Sequence, residues 1–270
     1  MATLVSVQAP TSGDQRMPHA TPPPPPELLA EAIALFLDVD GTLVEIEREP
    51  GAVHVPERLC RILSDLERAT GGALALVSGR TLVQLDGLFA PLRPSAAGLH
   101  GLERRNLRTE VVRAKPDPVV FGAARAQLAG FAECHPGVLL EDKGLTLALH
   151  YRNAPEQQGA ATATAEAAVA ASHGALVLLQ GKMVLELKPP GCDKGQAIAA
   201  FMGEAPFAGR QPVFAGDDVT DEAGFEVVNR LGGITIRIGA DAGPTVARYG
   251  LPDVRAMQSW LQGLLARPAA

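Results

Sequence analysis

The sequence predicts an α/β fold built on a parallel sheet, with a small α+β domain inserted into it. Three observations carry this. Apolar runs at 33–37, 73–77 and 212–215 lack polar alternation, and amphipathic helical stretches separate them. Such runs fit strands buried on both faces, joined by right-handed crossovers. Between about 114 and 187 the pattern changes to strict alternation, the mark of an antiparallel sheet. Finally, the first and last buried runs each end in acids and a glycine, at the sheet edge where open α/β folds bind ligands. The 270 residues are 47% hydrophobic and 20% charged, an ordinary globular balance with room for one large or two small domains.

The elements follow in order. Residues 1–27 carry Ser, Thr, Gly and a proline run at 22–26, and read as a disordered or polyproline tail. The run Ile33-Ala34-Leu35-Phe36-Leu37 is the first strand. Pro56 suits the first position of a helix in which Leu59, Ile62, Leu63 and Leu66 recur at helical spacing, and Gly71-Gly72 ends it. A second strand over 73–77 ends in Ser78-Gly79-Arg80, with a helix from about Thr81 and a short Gly-rich element at 95–104. A helix over 118–132 opens the insertion, followed by strands at 137–141 and 145–152. Leu145, Leu147, Leu149 and Tyr151 share one face of the latter, and Thr146, Ala148, His150 and Arg152 the other, which reads as half-solvated. An Ala-rich helix over 155–173 precedes a hairpin of strands 175–180 and 182–188, turning near Gly181. The core resumes with a helix at 193–202, a strand at 212–215, a helix at 220–230, a strand at 233–238 and a terminal helix carrying Val254, Met257, Leu261 and Leu264. The expected division is a core of 28–113 plus 188–270 and an insertion of 114–187.

Composition narrows the function. A net charge of −6 without a basic run disfavours nucleic acid. No stretch approaches the ~20 apolar residues of a membrane span. The N-terminus, with Asp14, Arg16 and His19, does not read as a secretory signal. Cys60, Cys134 and Cys192 are scattered and odd in number, consistent with free thiols. A cytoplasmic monomer is the expectation.

The acids set the chemistry. Asp38 and Asp40 stand at i and i+2, and Gly41 permits a sharp exit. Such a pair suits phosphoryl transfer: one carboxylate attacks phosphorus, the other protonates the leaving oxygen, and a divalent cation neutralises charge. A bare Asx turn is the alternative for this motif taken singly. Gly216-Asp217-Asp218-Val219-Thr220-Asp221 ends another buried strand, and a parallel sheet brings it to the same edge. Helix capping accounts for Asp218 or Asp221 alone, but not for four acids at two strand ends. Ser78 is a phosphate donor or an N-cap. Lys194 opens a helix, where the dipole disfavours a cation, which slightly favours pairing with phosphate and the nucleophile; an ordinary surface lysine is the alternative. In the insertion, Lys182, Glu186 and Lys188 share parity, and Glu141 and Lys143 are spaced by two. These groups suit vicinal hydroxyls, or else cross-strand ion pairs worth ~0.2–1 kcal/mol each.

Taken in order, residues 38–42, Ser78, Lys194 and 216–221 resemble the four motifs of the haloacid dehalogenase-like (HAD) phosphatases. The resemblance implies a Rossmannoid core with a parallel sheet and, at 114–187, an α+β type II (C2B-like) cap that selects the substrate. It implies Asp38 as the nucleophile that forms an aspartyl-phosphate and Asp40 as general acid/base. Asp38, the carbonyl of Asp40 and Asp217 would bind Mg²⁺, with Asp218 or Asp221 in support. Thr42, Ser78 and Lys194 would hold the phosphate. Asp at position 40 favours a phosphatase over a P-type ATPase, which would carry Thr there.

The finer wording, Ser78-Gly79-Arg80, Leu99-His100-Gly101-Leu102-Glu103, Glu141-x-Lys143, His150-Tyr151-Arg152, Gly181-Lys182-x-x-x-Glu186 and Gly216-Asp217-Asp218, resembles the trehalose-6-phosphate phosphatases. This implies that Glu141, Lys143, Lys182 and Glu186 contact trehalose, with Arg80, His100 and Glu103 at the core–cap cleft. The implied reaction is Mg²⁺-dependent hydrolysis of trehalose 6-phosphate in trehalose biosynthesis, functionally linked to trehalose-6-phosphate synthase. The alternatives are a phosphatase for sucrose 6-phosphate or mannosyl-3-phosphoglycerate, a non-catalytic regulatory sugar-phosphate-binding domain, and a receiver-like phospho-acceptor that the long insertion disfavours.

Overall fold

Strand β1 (Ile33–Leu37) is buried along its whole length, and its two side-chain parities supply two separate cores. The computed structural model describes residues 22–47, 53–239 and 244–266. After β1 come α1 (Glu57–Ala69), β2 (Leu74–Val77), α2 (Leu82–Phe89), β3 (Ser95–Gly98), β4 (Glu103–Arg105) and β5 (Val111–Arg113). Then follow α3 (Pro118–Cys134), β6 (Leu139–Asp142), β7 (Leu147–His150), α4 (Gln158–Ala171), β8 (Val177–Gly181) and β9 (Val184–Lys188). The chain closes with α5 (Lys194–Met202), β10 (Gln211–Gly216), α6 (Glu222–Arg230), β11 (Ile234–Ile238), β12 (Tyr249–Leu251) and α7 (Val254–Leu265).

Eight strands form one sheet in the order β12-β11-β10-β1-β2-β3-β4-β5. It is parallel from β12 to β3, and β4 and β5 add antiparallel at the edge. Ile33, Leu35 and Leu37 point to one face, where α1 contributes Leu59, Ile62, Leu63 and Leu66, and α7 contributes Met257, Leu261 and Leu264. Each such buried side chain contributes roughly 1.5–3 kcal/mol. Ala34 and Phe36 point to the other, where Phe201, Phe207, Phe214 and Phe225 gather around α5 and α6. The fold is thus α/β with a mainly parallel sheet, consistent with a HAD-like fold. The ends of β1, β2 and β10 lie at one edge, and that edge carries the acids.

The order β6-β7-β9-β8 makes a second, wholly antiparallel sheet. Leu147, Leu149, Leu185 and Leu187 pack one of its faces on α3 and α4. The expectation that the other face is solvated does not hold, since Thr146 and Ala148 are fully buried. That face lies over the acidic edge of the large sheet, and Glu186 and Lys143 reach His100 and Gly79 there. Alternation in sequence marks two unlike faces but does not reveal whether the polar one meets water or another polar surface. Lys182 falls in the two-residue turn between β8 and β9 rather than on the strand, and Lys188 turns away to donate to the Cys192 carbonyl.

Three short strands escaped the sequence reading. Neither Glu103-Arg104-Arg105 nor Val111-Val112-Arg113 alternates, and β12 has only three residues. Of the expected disordered tail, residues 1–21 lie outside the described residues. Pro22 and Pro23 lie against the open edge instead: the Pro23 carbonyl accepts from the Gly250 N–H of β12 at 2.9 Å. A polyproline stretch makes no internal hydrogen bonds, so its carbonyls can satisfy a sheet edge, and proline blunts that edge to further pairing.

Candidate active site

The carboxylates of Asp38, Asp217 and Asp221 lie at the C-terminal ends of β1 and β10, their ligand oxygens within 4.8 Å of one another. All three are buried. Parallel pairing of β1 with β10 brings them together, and the Asp38 N–H donates to the Ala215 carbonyl at 3.0 Å. Gly41 makes the approach possible. It sits at φ +85°, and a Cβ there would stand 2.3 Å from Asp217 Oδ2.

Lys194 offsets part of the cluster's negative charge. Its ammonium donates to Asp38 Oδ1 at 2.7 Å and to Asp221 Oδ1 at 2.6 Å. Asp193 caps α5 through the Gln196 N–H, which places Lys194 as the helix's first residue, pointing inward. Burial alone would lower its pKa, but Asp221 and Asp38 outweigh burial and hold it above the usual lysine value. Burial pushes Asp38 well above the ordinary carboxylate range; Lys194 opposes this, and Asp221 and Asp217 reinforce it. Asp221 Oδ2 accepts from the N–H groups of Asp217 and Asp218 at 3.0 and 2.9 Å. Asp218 instead accepts from the Val219 N–H and caps the next turn. Of Asp218 and Asp221, it is Asp221 that lies inside the carboxylate cluster.

Asp40 is held differently. Arg80 donates through Nε to Oδ2 at 2.7 Å and through Nη2 to Oδ1 at 2.6 Å. The Asp40 carboxylate is thus held by a guanidinium and is not part of the Asp38, Asp217 and Asp221 cluster. The Arg80 N–H donates to Ser78 Oγ at 3.2 Å, which ties the arginine to the loop after β2. Thr42 is fully buried and does not line the cleft, and its hydroxyl has no partner among the described residues.

The cleft's far wall is the polar face of the small sheet. Glu186 accepts from Thr146 Oγ1 at 2.5 Å, lies 3.1 Å from His100 Nε2, and has Lys143 Nζ at 3.7 Å. Burial would raise its pKa, but Lys143 and His100 outweigh burial and hold it far below the usual carboxylate range. Glu141 lies 3.0 Å from His150 Nε2 and accepts from Gln84 Nε2 at 3.2 Å. Despite burial, the bond to His150 and the charge of Lys143 keep it below the usual range. Lys143 also donates to the Gly79 carbonyl at 3.1 Å, and Lys182 to Asp217 Oδ2 at 2.7 Å. His100 and Leu99 both take positive φ, 56° and 51°, in a turn held by the Ser78 and Arg80 carbonyls. This strained turn aims the imidazole at Glu186, and a Cβ at Gly79 would lie 2.7 Å from its Nε2.

One cleft is thus lined by Asp38, Asp40, Ser78, Arg80, His100, Glu141, Lys143, Lys182, Glu186, Lys194 and Asp217, of the residues singled out in the sequence. Glu103 is not brought there. Its Oε1 accepts from the Leu82 N–H at 2.5 Å and its Oε2 from Arg113 at 3.1 Å, so it serves the N-terminus of α2 and the β4–β5 pair. Sequence reasoning gives no role to Gln84, nor to Thr146, which donates to Glu186 from outside the cleft lining, and it includes His150 and Arg152 only as part of a motif. Gln84 had a legible signal, the Thr-x-x-Gln spacing of the capping box it forms with Thr81. Arg152, whose signal is the His150-Tyr151-Arg152 wording, donates to the Glu47 carbonyl at 2.6 Å across the cleft.

With this geometry in place, the comparisons are specific. The family model described as trehalose-phosphatase matches residues 36–254. The chain is 47% identical over 239 residues to the trehalose-6-phosphate phosphatase of Escherichia coli K12, covering 88% of each. It is 34% identical over 237 residues to the bifunctional trehalose-6-phosphate synthase/phosphatase of Thermoproteus tenax, covering 85% of this chain and 31% of that one. In fold it resembles the C-terminal domain of the Candida albicans trehalose-6-phosphate phosphatase, with a TM-score of 0.78 at 21% identity over 87% of this chain and 92% of that one.

Proposed function

The chain belongs to the trehalose-phosphatase family, and from that premise we propose that it hydrolyses trehalose 6-phosphate to trehalose and phosphate through an aspartyl-phosphate on Asp38. The observation that carries this reading is the placing of Asp38. Its carboxylate is shielded from water and held by Lys194, and it faces a cleft roofed by two low-pKa carboxylates and a lysine. Asp38 attacks phosphorus in line, the bond from phosphorus to the sugar oxygen breaks, and Asp40 delivers a proton to that oxygen. Asp40 then takes a proton from water, whose oxygen attacks the aspartyl-phosphate and releases phosphate and the free carboxylate. Ser78 and Lys194, which line the cleft, serve the phosphate; Thr42, buried outside it, does not reach that position.

The donor set suits Mg²⁺: oxygen ligands only, with buried, clustered carboxylates packed against Gly41, where a Cβ would collide with Asp217. Asp38 and Asp217, with the Asp40 carbonyl, would hold the ion, and Asp221 would fix the loop and Lys194 beside it. When bound, the ion neutralises charge on the transferring phosphoryl group.

The insertion at 114–187 acts as a type II (C2B-like) cap over a core of 28–113 and 188–270. In it, Glu141, Lys143, Lys182 and Glu186 meet the sugar hydroxyls. The polar contacts that already bridge small sheet and core support this. The bifunctional relative supports a functional link to trehalose-6-phosphate synthase. Among the described residues no helix is long and apolar enough to cross a membrane. A cytoplasmic monomer is proposed from composition alone.

Phosphate release from a panel of sugar phosphates tests the reading. Trehalose 6-phosphate is expected to be preferred strongly, with turnover lost in EDTA and restored by Mg²⁺. Preference for sucrose 6-phosphate or mannosyl-3-phosphoglycerate would overturn the substrate, and full turnover in EDTA would overturn the metal. Glu186→Gln is a second test, because it removes charge while keeping volume. A charged hydrogen bond contributes roughly 1.5–3 kcal/mol, so kcat/KM for trehalose 6-phosphate should fall about 10- to 150-fold. A small aryl phosphate, which does not reach the sugar subsite, should change little. Equal losses on both substrates would remove Glu186 from recognition.

A further inference from the structure

We propose that Arg80 is a positioning residue for the proton-transfer group Asp40, rather than a sugar ligand. The inference rests on the aspartyl-phosphate reading above, in which Asp40 moves the protons.

Three features carry it. The guanidinium meets both Asp40 oxygens, through Nε at 2.7 Å and Nη2 at 2.6 Å, which fixes the carboxylate plane as well as its place. The arginine side chain is 10% exposed, whereas that of Asp40 is 33% exposed and opens toward the cleft. Arg80 is therefore the rigid partner and Asp40 the presented one. The backbone of Arg80 is also fixed at both ends, with its N–H on Ser78 Oγ and its carbonyl receiving the Leu99 N–H. The loop that carries Ser78 thereby sets where Asp40 points.

The consequence concerns the leaving group. In the first step the bond from phosphorus to the ester oxygen breaks, and that oxygen takes the proton from Asp40. A sugar or alkyl oxygen leaves poorly without it, and a nitrophenolate leaves readily. A misaimed Asp40 costs rate in proportion to the basicity of the leaving group, whatever its shape. Loss of a sugar ligand costs rate only where a sugar is present.

The experiment measures kcat/KM, which reports events up to the first phosphoryl transfer, for the full chain with Mg²⁺. The substrates are a sugar-free series of phosphomonoesters running from nitrophenyl through phenyl to simple alkyl. Arg80→Ala should lose little on the nitrophenyl ester and on the order of 10–100-fold on the alkyl esters. Asp40→Asn should steepen the same dependence further. Adding Arg80→Ala to Asp40→Asn should cost almost nothing more, because the two act as one unit. Arg80→Lys, a point charge without the fork, should recover part of the loss. A uniform loss across the series would make Arg80 structural, and a loss confined to sugar phosphates would return it to sugar binding; either overturns the proposal. If Asp40→Asn itself leaves the leaving-group dependence unchanged, the proton-transfer reading of Asp40 fails, and the proposal fails with it for that separate reason.

Discussion

Asp38→Asn should lower turnover of every phosphomonoester by on the order of 10⁴-fold or more, while the chain stays folded. An amide oxygen is a poor nucleophile toward phosphorus, and no second carboxylate stands where Asp38 does. Lys194 keeps its bond to Asp221, and an asparagine carbonyl can still accept from it. Burial disfavours the charged form of Asp38, and the neighbouring Asp221 and Asp217 add to this. Exchanging that charge for a neutral group of equal size should therefore leave the denaturation midpoint unchanged or higher. Sugar phosphates and aryl phosphates should lose activity alike, because the defect lies in the phosphoryl acceptor. Residual turnover above about one part in a hundred, less than 3 kcal/mol of barrier, would place the nucleophile elsewhere.

The opposite balance is expected at Lys194. Lys194→Met keeps the length of the side chain but leaves Asp38 and Asp221 facing each other without a cation, deep in the core. Removing one partner of a buried charged set typically costs 3–5 kcal/mol, since the remaining charges are neither solvated nor paired. A urea titration in EDTA should show a shift of about that size, with activity falling as well because the phosphate loses its ammonium. The loss should depend on pH with a definite sign. Asp38 has a raised pKa in the folded state, and removing Lys194 raises it further. A group of that kind leaves stability intact below its unfolded pKa and lowers it as pH rises through the folded value. The variant should thus lie nearest the parent at acidic pH and fall behind toward neutrality. A constant difference across pH would mean that packing, not charge, makes Lys194 necessary.

These two residues were legible in the sequence for local reasons. Asp38 ends a five-residue apolar run, and Lys194 stands in a first helical turn where the dipole disfavours it. Glu103 was misplaced because a charged residue beside a histidine motif gives no sign that a helix N-terminus 21 residues earlier will claim its carboxylate. The parity that puts Lys182 on a strand does not reveal whether a two-residue turn begins at Gly181 or after it.

The sequence by itself determined the alternation of buried strands and helices, and with it a parallel sheet whose C-terminal edge gathers the acids of the first and last motifs. Strand burial and helix period are local properties, written within a dozen residues. Only the tertiary structure decided which of Asp218 and Asp221 enters the cluster, that Arg80 grips Asp40 from 40 positions away, and that the polar face of the small sheet covers the site. Those outcomes depend on how loops from distant elements approach one another. Spacing along the chain sets the face a side chain occupies, but the partner it meets there is set by packing.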